Sequence, residues 1–194
     1  MVHARNLFVV LFGIAAIGIL IVVVLAYWGV LKEPRDTVTA LSALISTLAL
    51  SSSLLAFVVN TDRDRHSNAL EISRRWDSEP LLSARLTLRP LYGETEALAA
   101  KLAGDSPESV QIKGAIIHMA NFFWDMAIAI DIKMATPDFL KQRFSVGLKR
   151  LSPSFAALRA TNPKDEAIAI AISSINQLCT SWGINPISET PKGK

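Results

Sequence analysis

Asn121 and Asp125 stand four residues apart, with His118 three places before the asparagine. In a helix that spacing stacks the three along one side. His118 has the chemistry of a general base or a metal ligand, and Asp125 is the carboxylate nearest to it along that side. The segment around them otherwise reads as core. Ile112, Ile116, Met119, Phe123, Met126 or Ala127, and Ile130 recur at steps of three and four. A carboxylate inside such an element must meet a cation or take up a proton. Arginines on the preceding segments, Arg85 above all, can supply that cation. Two readings follow for the set Arg85, His118, Asn121 and Asp125. In one, a buried Arg–Asp pair, with Asn121 capping a neighbouring backbone group, fixes how helices dock. In the other, the set lines a small polar pocket. The first is preferred, because an unpaired buried charge is so costly.

Other chemistry finds little support. His3 and His66 are not at ligand spacing with His118, and no His-Glu-x-x-His, Gly-x-Gly-x-x-Gly or Walker motif occurs. One His and one Asp are too few ligands for a metal, so no metal, cofactor or catalytic residue is expected, nor an enzyme. The single cysteine, Cys179, rules out an intramolecular disulfide. Its apolar neighbours mark it as an inert core thiol. Trp76, Trp124 and Trp182 read as core or interface anchors. Charge is nearly balanced, with 20 Lys and Arg against 17 Asp and Glu. A nucleic-acid partner, which calls for a clustered basic stripe, is not expected.

The elements that must position these residues begin with two long apolar runs. Leu7–Leu31 and Thr37–Val59 carry no charged residue, and Lys32-Glu33-Pro34-Arg35-Asp36 separates them. About 20 apolar residues suffice to cross a bilayer core as a helix. The expectation is therefore a two-span transmembrane hairpin over residues 1–60, a helical domain over 61–186 and a polar tail over 187–194. The first run is too long for the apolar region of a signal peptide. Arg63, Arg65, Arg74 and Arg75 follow the second run, which favours a multi-pass inner-membrane protein with both termini cytoplasmic. The acids of Asp62-Arg63-Asp64-Arg65 argue against a polybasic lipid switch. The second run carries Ser42, Ser46, Thr47, Ser51, Ser52 and Ser53. Such a face packs on another helix or, in a sharper reading, lines a polar path through an oligomer.

Beyond residue 60 the pattern is helical, and the fold class is all-α: a membrane hairpin followed by a small cytoplasmic helical bundle. Ser106-Pro107, Thr136-Pro137, Ser152-Pro153 and Asn162-Pro163 each pair a capping residue with a proline suited to the first helical position. They predict helices over about 107–133, 137–150, 153–160 and 163–182, the last ended by Gly183. Upstream, one helix continues from the second run to about Trp76, and another runs from about Glu79 to Tyr92, with an extension past Gly93 to Leu102 as the alternative. The 107–133 helix carries apolar residues all round, with Ile117, Trp124, Ile128 and Ile132 opposite the first face. That pattern predicts a buried central helix.

Arg74-Arg75-Trp76-Asp77-Ser78, then Arg85, then Met119-Ala120-Asn121-Phe122-Phe123-Trp124-Asp125-Met126-Ala127 resembles a bacterial family of uncharacterised membrane proteins with a cytoplasmic helical domain. In that family a Trp segment precedes a helix bearing an Asn-aromatic-aromatic-acid core. Asn121, Phe122, Phe123 and Asp125 match it, although Trp124 intervenes and Asp replaces the expected Glu. The Phe139–Phe144 stretch fits the family's next helix. The resemblance implies fold and topology and no activity. The functional expectation is a membrane-anchored interaction or scaffold protein, with the lipid bilayer and a protein partner or a second copy as its contacts. The alternative is an oligomerising membrane effector or pore controlled by the helical domain.

Overall fold

The computed structural model describes residues 13, 17–25, 27–29 and 34–187. Among these the chain is helical, with no strand. It divides into two compact units, Met1–Arg63 and Asp64–Lys194.

In the first unit, residues 17–25 are helical. About half of the expected first run and Lys32-Glu33 of the expected turn lie outside the described residues, so a two-span hairpin is not established. Helix α1 (Pro34–Trp76) opens on the proline expected in the turn, a position that needs no backbone donor. It then runs through the second apolar stretch. It is the one helix among the described residues long and apolar enough to cross a membrane, and 6% of its apolar window is buried. Val38, Ile45, Leu50, Leu54 and Phe57 are all exposed.

The second unit takes in the last turns of α1, then α2 (Leu81–Leu88), a 3-10 turn (Arg89–Leu91), α3 (Thr95–Leu102), α4 (Pro107–Asp131), α5 (Pro137–Thr161) and α6 (Glu166–Trp182). Helix α4 packs against α2, α3, α5 and α6, and so forms the hub. Its buried side chains include Ile112, Ile116, Met119, Phe123 and Met126, the predicted face, together with Ala115, Ala120 and Phe122. The prediction of burial all round fails. Ile117, Ile128 and Ile132 are exposed, because the neighbouring helices cover one broad side of α4 and leave the other open.

The proline signals divide. Ser106 caps α4 by accepting from the Ser109 N–H at 3.2 Å. Thr136-Pro137 starts α5 without a side-chain cap bond. Ser152-Pro153 starts nothing, and α5 runs unbroken from Pro137 to Thr161. Pro153 lacks the N–H that would reach back one turn, a loss of about 3 kcal/mol in a helix interior. Leu148, Leu151, Phe155 and Leu158 are nevertheless buried along one face that crosses the proline. Each such side chain contributes about 1.5–3 kcal/mol, so burial outweighs the missing bond. The start expected at Pro163 falls at Glu166, where the Asp165 carboxylate accepts from the Ile168 N–H at 3.1 Å. Ile187, assigned above to a polar tail, is a buried core residue whose N–H donates to Asn176 Oδ1 at 2.6 Å.

Candidate functional site

Trp76, the last residue of α1, anchors the packing of that helix end. Its indole meets the rings of Phe122, Phe123 and Phe144 with centroids 5.2, 5.9 and 5.3 Å away. Tilted and edge-on ring contacts of this kind add about 0.5–1.5 kcal/mol each beyond burial. The Arg85 guanidinium lies 4.6 Å from the indole centroid, within cation–π range. Asp77 then clamps two helices to this end: its carboxylate accepts from Arg85 at 3.2 Å and from Arg143 at 3.1 Å.

Beside this anchor is an open cleft of about 330 Å³. Asn68, Glu71, Ile72 and Arg75 of α1 form one wall. Asp125, Ile128, Ala129, Ile132 and Met134 form the other. Arg75 and Asp125 face each other across it at 3.0 Å, each about half exposed. Exposed pairs of this kind contribute about 0–1 kcal/mol. The cleft floor is apolar.

The predicted polar core is therefore not assembled. Arg85 pairs with Asp77 and not with Asp125. Asp125 meets Arg75 at the surface. His118 and Asn121 are exposed, with His118 seven residues, about 10 Å of helix, from Asp125. The physical reason is the register of α4. Phe122, Phe123 and Met126 point inward, which turns the side bearing 118, 121 and 125 outward, where charge costs little. The residues that sequence reasoning missed are Arg75, Asp77 and Arg143. Arg75 and Asp77 flank Trp76 in sequence, and that adjacency was the available signal.

Two groups are perturbed by burial. Cys179 is fully buried, and burial pushes its thiol up to about 11 against a smaller opposing hydrogen bond from Ser152. The Tyr92 hydroxyl is also raised by burial, with Arg85, Arg150 and Arg89 pulling the other way. Both are neutral and unreactive near neutral pH. Among the described residues no group of three His, Cys, Asp or Glu could hold a metal ion. What the cleft can do chemically is bind an apolar edge beside an ion pair. Compared with known proteins, the chain matches no family model, and no curated protein or solved structure is significantly similar to it.

Proposed function

We propose that this chain is a membrane-anchored interaction protein: an N-terminal two-span hairpin holds a helical domain at the cytoplasmic face of a bacterial inner membrane, where it engages a protein partner. The observation that carries the anchor is α1, whose apolar window is 6% buried. A core helix of a water-soluble domain hides such side chains, so their exposure supports an apolar surrounding for this one. In the first run Ile17, Leu20, Ile21 and Val23 are likewise exposed, followed by exposed Tyr27 and Trp28. Aromatic residues at the end of an apolar run suit the membrane–water interface. The bacterial setting rests on the resemblance carried by Arg74–Ser78 and Met119–Ala127. The scaffold role is supported by the open cleft, whose apolar floor lies beside the Arg75–Asp125 pair. The pore alternative is weakened at Thr47, whose hydroxyl donates to the Ala43 carbonyl at 2.8 Å and so needs no aqueous partner.

The test uses the full chain in its native membrane. Alkaline carbonate should fail to extract it, and Gly29→Cys should react with an impermeant maleimide from outside intact spheroplasts. Val110→Cys should react only after permeabilisation. Extraction into the soluble fraction would end the anchor reading. Reaction of both cysteines from the same side would end the hairpin topology. Crosslinking with mass spectrometry should then give a discrete partner on the helical domain, and crosslinks confined to Thr37–Val59 of other copies would favour the pore.

A further inference from the structure

Helix α4 ends in a turn that its own backbone makes expensive. The Lys133 N–H donates to the Ile130 carbonyl at 3.0 Å and the Met134 N–H to the Ala129 carbonyl at 2.8 Å. This is the Schellman pattern, which places its pivot residue in the left-handed region and normally uses glycine there. Here the pivot is Lys133, at φ 58°, the one non-glycine residue with positive φ among those described. A side chain in that conformation costs about 1–2 kcal/mol. Strain kept where glycine would relieve it indicates that the side chain has a use.

The flanking residues indicate what the use is. Ile132 is 56% and Met134 51% exposed, and Ile128 one turn earlier is 41% exposed. An apolar pair astride a lysine is thus presented at the tip of a tight turn. The turn is also pinned to α1. Arg65 Nε donates to the Lys133 carbonyl at 2.8 Å, and the Asn68 side-chain amide donates to the Met134 carbonyl at 3.0 Å. Arg65 is only six residues beyond Val59, where the uncharged run stops. Six residues reach at most about 20 Å by any path, and about 9 Å as helix. If the apolar run spans a bilayer, the turn is confined to the neighbourhood of the headgroups.

We propose that the Ile132-Lys133-Met134 turn is a lipid-contact element that inserts Ile132 and Met134 into the bilayer interface, with Lys133 extending along them to the phosphate layer. Interfacial elements bury apolar side chains about 5–10 Å into the headgroup and acyl boundary. A lysine between them keeps its stem in the apolar zone and its ammonium among phosphates. The surrounding charges alternate in sign through Asp62, Arg63, Asp64, Arg65 and Asp131. Apolar insertion therefore sets the contact, and any phospholipid headgroup serves. The inference rests on the membrane-spanning reading above.

The full chain in phosphatidylcholine nanodiscs tests it. Because Cys179 is fully buried, a single introduced surface cysteine can carry an environment-sensitive dye. Dye on Met134→Cys, and separately on Ile132→Cys, should shift to the blue and lose emission when the discs contain lipid spin-labelled near the headgroup. Dye on Val110→Cys, 22 residues or about 33 Å back along α4, should do neither. Dye on Leu50→Cys should be quenched by lipid spin-labelled deep in the chain. Quenching at residue 50 with positions 132 and 134 behaving like 110 would overturn the lipid contact and leave the anchor standing. A blue shift at 134 without lipid quenching would mean a second copy covers the turn, and would also overturn it. Absence of quenching at residue 50 would overturn the spanning reading and this inference with it.

Discussion

Helices α4 and α6 finish with the same two hydrogen bonds and different residues. At the end of α6, Gly183 holds φ 72°, its N–H reaches Thr180 at 3.1 Å, and the Ile184 N–H reaches Cys179 at 2.9 Å. At the end of α4, Lys133 holds φ 58° over the equivalent pair of bonds. The residue after each pivot differs as well: Ile184 packs on the core, whereas Met134 is exposed. One end is built as stability alone would build it, with a residue free to adopt the turn and an apolar contact to close it. The other accepts strain and leaves its apolar contact facing outward. The same pair of hydrogen bonds thus closes an end that serves the fold and one that serves something outside it.

The largest test of this contrast is alkaline pH, which acts on a buried thiol at the Gly183 end. Cys179 lies in the last turn of α6, and its buried thiol is raised to about 11 from an ordinary value near 9.0. A raised value means that the folded state holds its proton longer. The contribution is complete below about pH 9 and is lost as pH climbs toward 11, by about 2–3 kcal/mol in all. Urea unfolding of the full chain in detergent at stepped pH should show this loss, and Cys179→Ala should remove most of it, the remainder coming from Tyr92, which is raised in the same sense.

Next comes Gly183→Ala. No atom would meet the added Cβ within 4 Å, so the cost is backbone strain alone, about 1–2 kcal/mol, read as a lower urea midpoint with unchanged slope. A smaller contrast separates the two apolar residues. Ile184→Ala should cost about 1 kcal/mol through lost burial, while Met134→Ala should stay within about 0.5 kcal/mol of wild type. The smallest effect has the opposite sign. Lys133→Gly relieves the strained pivot, offset by a more flexible unfolded chain, for a net gain of a few tenths to about 1 kcal/mol. If Lys133→Gly destabilised the fold, the two ends would not be equivalent and the contrast would break.

Helices α4 and α6 were legible in the sequence because each is long and carries a buried stripe at three- and four-residue steps, whereas the eight-residue α3 was not legible as a helix of its own. Gly183 was legible as a stop because few other residues fit its conformation. Lys133 was not, because nothing in its type announces a left-handed pivot. Ser152-Pro153 misled for a related reason: the local capping signal is real, but the face of Leu148, Leu151, Phe155 and Leu158 overrides it. The polar set failed on angle. A shared helix side was correct for His118, Asn121 and Asp125, but which way that side faces depends on the register of α4. Which arginine meets Asp125 depends in turn on where the last turns of α1 lie against it, and spacing along the chain contains neither quantity.

The strap beyond Trp182 gives the α6 end a clock of its own. The Ile187 amide lies eleven residues past Asn176, outside any helix, yet its N–H donates to that side chain's Oδ1, 2.6 Å from the nitrogen, in a buried position. Exchange with heavy water at this one site must wait until Asn176 lets go. Its isotope uptake therefore times how often the Gly183 end opens, read from an amide that takes no part in the helix being timed.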